Sequence, residues 1–476
     1  MRLTQLVRTA LLDICTLDLR SLSLFRIFLG IFLCVDLGIR FSDVEMFYSD
    51  LGVLSSSYIS RINWSIHAWY GSVEWQYFLF GLSAVSALLL LLGFYTRVAT
   101  VVAYVLTASV QLRNPAVNNA GDLLLACVLF ISIFLPLSSY FSLDSRKVQS
   151  EGQKFSSYSS PWVAVYLLQL ILLYSISGFS KNNGTWNFDG LGIYYALNLH
   201  TYAKSSAIYL LYYPWILWLL NYLTLFLERV LWLGLLIPRK NGWIRSVLVL
   251  SFMSFHLGLF CFMELGTFPF LGMIIWIPLI PAIFWRWISY VVSKSIVLDK
   301  YKNEIYNQWN NRGLWLSAFL FVFLMIYSAT GFKPWFGHPR YLDSVIKNSR
   351  LKQEWSLFSG PKKYDGWLVV EGKLQDGQVV DLLRNGAEIN WEKPALFSAQ
   401  FPNHRQRKYF KSLRTGFISY RSKYLDWVMS KWNQEHPENQ VESATFYFLE
   451  EAILPNGQFG SVKKKSLSTR TVQRDI

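Results

Sequence analysis

Charged side chains are scarce: 16% of 476 residues are Asp, Glu, Lys or Arg, against roughly 25% in an average soluble domain. The shortage is concentrated in long apolar runs, which excludes an ordinary water-soluble fold. Cysteine is almost absent. The four residues Cys15, Cys34, Cys127 and Cys261 include no CxxC pair, and none lies in the C-terminal third. That excludes a disulfide framework and a zinc site, and predicts buried, inert thiols and no metal. A cleavable signal is also missing: Arg2, Arg8 and Arg20 precede the first apolar run, and no small-residue cleavage site follows it. No internal repeat is evident, which argues against an inverted-repeat transporter.

Aromatic residues are abundant, 17% of the chain with 20 tryptophans. Several, such as Trp75, Trp162, Trp285 and Trp287, lie near the ends of apolar runs, where amphipathic rings favour the headgroup level. The runs predict about nine spans, at 22–40, 75–93, 98–112, 121–137, 161–179, 208–237, 244–262, 268–289 and 314–331. The sixth is too long for one upright crossing and starts after Pro214 or lies partly along the surface. With the N-terminus inside, inner loops carry 15 Lys/Arg and outer loops five. The bias predicts a cytoplasmic N-terminus and, for an odd span count, an extracytoplasmic C-terminus. The net charge of +15 is accounted for by these loops and a basic C-terminal region, with no nucleic-acid partner required.

The fold class expected is therefore an α-helical polytopic membrane bundle over residues 1–331, followed by a small extracytoplasmic α+β domain over 332–455 and a disordered basic tail over 456–476. Two β-rich runs flank Gln375-Asp376-Gly377, a hairpin signal. His404 to Gln434 has helical spacing of apolar residues, and Ala444 to Leu454 reads as a third strand.

Ionisable groups inside spans cost roughly 2.5–3.5 kcal/mol on insertion scales and are functional candidates for that reason. Asp36 and Arg40 stand one helical turn apart and form an ion pair that fixes packing. Arg26 snorkels near a span end. Glu228, followed by Arg229, belongs to a polar network, and His256 lies within its span. Lys181 ends the fifth span. Desolvation there lowers an amine's pKa and lets it take a proton from an acidic lipid-soluble substrate, the alternative being a snorkelling lysine.

The chain resembles the vitamin K-dependent γ-carboxylase family and its wider class, the HTTM (horizontally transferred transmembrane) proteins, in its bacterial form. The resemblance runs from Leu24-Phe25-Arg26-Ile27-Phe28-Leu29-Gly30 with Asp36, through Phe47-Tyr48-Ser49-Asp50-Leu51-Gly52-Val53-Leu54 and Gly93-Phe94-Tyr95-Thr96-Arg97, to Leu135-Pro136 and Ser142-Leu143-Asp144. Gly178-Phe179-Ser180-Lys181 with Trp186 is similar to the segment that supplies the carboxylase base. His256 with Gly266, Phe268 and Pro269 is similar to a second block, and Trp355-Ser356-Leu357-Phe358 with Asp365-Gly366-Trp367 to the start of the extramembrane part. The resemblance implies Lys181 as base and His256 as a supporting residue. It also implies vitamin K hydroquinone or another quinol as cosubstrate, and O2 and CO2 if carboxylation occurs. Lyase chemistry would then modify a peptide, protein or lipid acceptor on the outer face of a bacterial inner membrane.

Two departures stand out. The segment in which the family carries a histidine beside paired asparagines matches Asn118-Asn119-Ala120-Gly121-Asp122, which has none, and Ser180 replaces the lysine before the base in animal carboxylases. Two other readings therefore stay open: an inactive membrane scaffold, and a transporter with Asp36, Glu228 and His256 along a pore.

Overall fold

The computed structural model describes residues 2–148, 155–238, 242–291, 305–330, 340–395, 397–455 and 457–472. Six helices among the described residues are long and apolar enough to cross a membrane. They are α1 (Leu19–Phe41), α2 (Val73–Leu92), α5 (Pro161–Ser180), α6 (Pro214–Arg229, continued by a 3-10 turn to Leu236), α7 (Gly242–Phe262) and α10 (Arg312–Thr330). A bent pair, α8 (Phe268–Ile274, extended by a turn to Leu279) and α9 (Ala282–Val291), makes a seventh if read as one span, but turns through 90° at its break. The chain is an integral membrane protein, with six or seven such elements where nine were expected.

The difference lies in the third and fourth expected spans. Helix α3 (Thr96–Arg113) carries Arg97, Gln111 and Arg113, and α4 (Ala120–Ser132) is 13 residues, about 20 Å at 1.5 Å per residue. Nearly every residue of α4 is buried by protein. It is apolar because it is core, not because it meets lipid. The argument from an odd span count to the side of the C-terminus therefore no longer follows from the count. Trp162, expected at the headgroup level, lies inside the bundle and stacks on Phe134 at 3.7 Å.

Three short strands, β1 (Thr16–Asp18), β2 (Ser157–Ser159) and β3 (Ile305–Asn307), tie the ends of the bundle together. Beyond α11 (Arg340–Ser349) comes a five-stranded antiparallel sheet in the order β6-β5-β4-β7-β8. It consists of β4 (Tyr364–Leu374), β5 (Val379–Asp381), β6 (Ala387–Glu388), β7 (Val441–Ala452) and β8 (Lys463–Thr471). Gly377, at φ +87°, closes the β4–β5 hairpin. The last strand is a correction. The tail expected to be disordered pairs with β7, held by Thr445–Thr469 across the strands and by Lys464 over the Trp391 ring at 3.2 Å.

One helical stretch was expected over 404–434; there are two, α12 (His404–Thr415) and α13 (Ile418–Glu435). The break falls at Gly416, and the Arg421 guanidinium satisfies the freed carbonyls of Leu413 and Arg414 at 2.7 and 2.9 Å. Tyr409, Phe410 and Leu413 turn one face of α12 into a core shared with the sheet. The opposite face meets the membrane helices.

Candidate active site

Helix α5 presents Tyr174, Ser177 and Lys181 on one face, at spacings of three and four. Lys181 follows the last residue of its span, and its ammonium folds back onto the helix end. Nζ donates to Ser177 O at 3.2 Å and Oγ at 2.9 Å, to Glu228 Oε2 at 2.5 Å and to Leu357 O at 2.9 Å. Ser177 Oγ donates in turn to Glu228 Oε1 at 3.1 Å. The amine is 3% exposed and its partner carboxylate 7%. Burial draws the Lys181 ammonium below its ordinary value, against the opposing pull of Glu228.

The approach of α5 to α6 is what makes this pair. Gly178 meets the Glu228 backbone so closely that a Cβ would sit 2.7 Å from its carbonyl carbon. Arg229 locks the same crossing, donating to Gly178 O at 2.9 Å and to Lys181 O at 3.0 Å. A polar network containing Glu228 was expected; its partner is Lys181.

The segment before β4 crosses over this corner. Three successive carbonyls, of Leu357, Phe358 and Ser359, accept from Lys181 Nζ, Trp186 Nε1 (3.0 Å) and Asn183 Nδ2 (2.7 Å). The buried Trp186 ring lies 5.4 Å from the Lys181 amine.

His256 is buried on α7. Its Nε2 meets Tyr174 Oη at 2.9 Å, and Trp276 Nε1 donates to the same hydroxyl at 2.8 Å. The ring packs against Gly272, where a Cβ would fall 2.2 Å from Nδ1. His256, Tyr174, Lys181, Glu228 and Trp186 all line one cavity of ≈380 Å³. Leu173, Ile193, Phe255, Leu259 and Phe268 give it an apolar wall, and Asn119 reaches it from the start of α4.

The remaining candidates lie elsewhere. Arg26 is fully buried, donating to the carbonyls of Leu90 and Leu91 at the end of α2 and to Phe141 O. It neutralises a helix C-terminus and does not snorkel. Asp36 and Arg40 form the expected pair at 2.8 Å, within a larger network: Arg40 also meets Asp122, and Arg405 of α12 meets both Asp36 and Asp122. Two carboxylates and two guanidiniums balance in a buried cluster behind the cavity wall. Asp122 is spent there and on the Asn119 backbone amide at 2.7 Å, and does not face the cavity. Asp36 does not line it either, so this cavity does not join Asp36 to Glu228 and His256. Of the cysteines, Cys15 and Cys127 are buried, Cys34 is half-buried and Cys261 is exposed. No group of three or more candidate metal ligands occurs among the described residues.

A sequence model of the HTTM domain matches residues 15–285. The chain belongs to the HTTM family. The matched stretch holds Lys181, Glu228 and His256, but neither the Leu357–Ser359 carbonyls nor α12. No curated protein and no solved structure matches this HTTM protein.

Sequence reasoning missed two contributors to the site. The carbonyls of 357–359 are backbone and carry no side-chain signal. The other is a stripe on α12, His404, Arg407, Lys408 and Lys411, which also lines the cavity. Its spacing of three, four and seven was visible in the sequence.

Proposed function

We propose that this HTTM protein is a γ-carboxylase-like membrane enzyme in which Lys181 takes a proton from a weakly acidic, lipid-soluble cosubstrate, a quinol such as vitamin K hydroquinone. The observation that carries the reading is that Lys181 and His256, from different spans, face one largely apolar cavity. A solid bundle at this level would have left neither group reachable.

The residues present fit a quinol ring. Leu173, Phe255, Leu259 and Phe268 would surround it, and Lys181, Tyr174 and His256 are polar groups available to its oxygens. When bound, the quinol would supply the oxidisable hydroxyl that, with O2, drives proton removal from an acceptor to which CO2 can add. The chain's part is to bind and to hold a proton. Lys181 must be neutral to act, and Glu228 at 2.5 Å can hold its proton, so the amine is freed without an isolated charge in the apolar wall. The ammonium formed on proton uptake has the Ser177 and Leu357 carbonyls beside it. An ammonium has three hydrogens and four acceptors lie in reach, so one acceptor can be given up to an arriving donor. The loop-charge bias supports a cytoplasmic N-terminus; the resemblance alone suggests a bacterial inner membrane and an acceptor, peptide or lipid, presented from the opposite side.

The saturation of the Lys181 amine by protein acceptors favours one rival, a scaffold in which the Lys181–Glu228 pair is structural. The test is quinone epoxide formation and acceptor mass change by purified protein supplied with vitamin K hydroquinone, O2 and labelled CO2. A general base contributes about 10²–10⁴ in rate, so Lys181→Ala should lose turnover by that factor while remaining folded. An unchanged rate removes the lysine from the mechanism, and a folded wild-type protein without turnover returns the scaffold.

A further inference from the structure

We propose that the cavity binds an amphiphile with an anionic head, phosphate or carboxylate, the head held by the α12 stripe and the apolar body lying along the membrane helices. The amphiphile's body would take the same apolar wall as the quinol ring, so this names a further ligand class of the proposed cosubstrate cavity; it rests on that reading for the identity of the site, but not for binding.

The argument begins with charge. Five basic side chains line the cavity, Lys181, Lys362, Arg407, Lys408 and Lys411, against two carboxylates, Glu228 and Glu264. Both carboxylates are already engaged: Glu228 with Lys181 at 2.5 Å, and Glu264 beside Lys204 at 3.9 Å. Arg407 donates to the backbone carbonyl of Glu264, whose carboxylate offsets part of its charge. Among the described residues, no carboxylate forms an ion pair with Lys362, Lys408 or Lys411; the Lys411 amine instead lies 4.3 Å from the centre of the Tyr202 ring. Cations in excess of carboxylates, crowded on a half-buried wall, favour an anionic partner. Burial acts on the stripe as expected: Lys411 is pushed down to about 8 by burial, with Arg414 adding to the effect.

His404 begins the stripe. Its Nε2 is buried without a hydrogen-bond partner, and its ring is seated against Gly266, where φ is +65° and a Cβ would come within 2.3 Å. A side chain at Gly266 would both strain the backbone and displace the ring. The wall facing the stripe is built from Leu173, Ile193, Phe255, Leu259 and Phe268, and cannot solvate a charge. A free inorganic anion would leave that wall wet, and a neutral lipid would leave the cations unpaired. One molecule with both parts satisfies both walls.

Binding of dodecyl phosphate and of dodecanoate to the full-length protein in maltoside micelles tests this by calorimetric titration, with dodecanol, inorganic phosphate and a hexaglutamate peptide as comparisons. We expect either anionic amphiphile to bind more tightly than all three comparisons. The Lys408→Gln/Lys411→Gln variant should lose roughly tenfold or more in affinity, whereas Lys352→Gln/Lys431→Gln, the same charge change at two exposed positions outside the cavity, should not. Binding is measured without turnover, and turnover without these amphiphiles, so failure of the catalytic reading and failure of this one are separable. Equal binding of dodecanol, an unchanged affinity in the double variant, inorganic phosphate as strong as dodecyl phosphate, or tighter binding of hexaglutamate would each overturn the proposal.

Discussion

Replacing Arg405 by Met tests whether the buried ion cluster holds the C-terminal unit against the bundle. The guanidinium is 1% exposed and donates to Asp36 Oδ1 and to both Asp122 oxygens, at 3.1 and 3.3 Å. In the native cluster two cations face two carboxylates. Without Arg405, Arg40 alone faces Asp36 and Asp122, and one negative charge is left buried. Removing one partner of a buried pair costs about 3–5 kcal/mol, most of it the desolvation of the stranded charge. That origin predicts a specific rescue. Arg405→Met combined with Asp36→Asn removes the charge as well as its partner, and should recover most of the loss, because a neutralised site is often no less stable than the pair. Arg405→Lys keeps the charge but not the planar fork, and should fall between. The assay is denaturant unfolding in micelles, followed by tryptophan fluorescence, with limited proteolysis reporting release of α12 and the sheet. If Arg405→Met unfolds within about 1 kcal/mol of wild type, or if Asp36→Asn adds its own loss instead of restoring stability, the electrostatic account of the docking is wrong.

Gly178→Ala should separate α5 from α6 where Lys181 meets Glu228, since the new methyl would sit 2.7 Å from the Glu228 backbone; overpacking of this kind costs about 1–3 kcal/mol. The readouts are a lowered melting temperature and faster modification of Lys181 by an amine reagent, followed by mass spectrometry, and an unaltered labelling rate would contradict the crossing described. His404 is pushed down to about 3 by burial, Arg405 adding to the effect. Between its ordinary value of about 6.5 and the folded value, the unfolded chain binds the proton and the folded chain does not, so stability is lost as pH falls through that window. His404→Gln should therefore flatten the acid side of the stability curve, by at most about 1.4 kcal/mol per pH unit, and a wild-type slope in the variant would show that His404 is protonated in the folded protein.

The sequence was readable where a physical signal is local. Apolar runs mark the spans, Gly377 the hairpin, and the four-residue spacing of Asp36 and Arg40 their pairing. The signal fails where the partner is distant. Nothing near Lys181 announces Glu228, 47 residues on, or the Leu357 carbonyl. Nothing near Asp36 announces Arg405, although two carboxylates facing Arg40 alone would have been unstable and so required a second cation. Apolar composition also does not say what buries a helix, which is why α4, enclosed by protein, reads like a span. On α12 the reading followed Tyr409, Phe410 and Leu413 to the sheet core and passed over the basic residues on the opposite face. Lysine and arginine at helical spacing usually mean a solvated face, and only the tertiary arrangement turns that face into a cavity wall.

The cavity's two walls come from different parts of the chain. The stretch matched by the HTTM family supplies the amine, its carboxylate partner, His256 and most of the apolar lining. Residues after 285 supply the carbonyls over Lys181 and the cationic stripe. On the proposed reading, reactive group and ligand-reading group are therefore separate in sequence and joined only by packing. An amine in an apolar wall can be retained while the opposing surface changes, so chemistry and ligand choice can vary independently on this fold. The price of that division is alignment: a head held by α12 reaches the Lys181 corner only if α12 keeps its distance from α5. The Arg405 cluster sets that distance, because Arg405 follows His404 directly and is anchored to α1 and α4 through Asp36 and Asp122. If the proposed ligand binds there, a cluster outside the cavity lining thus governs where its charge sits relative to the amine.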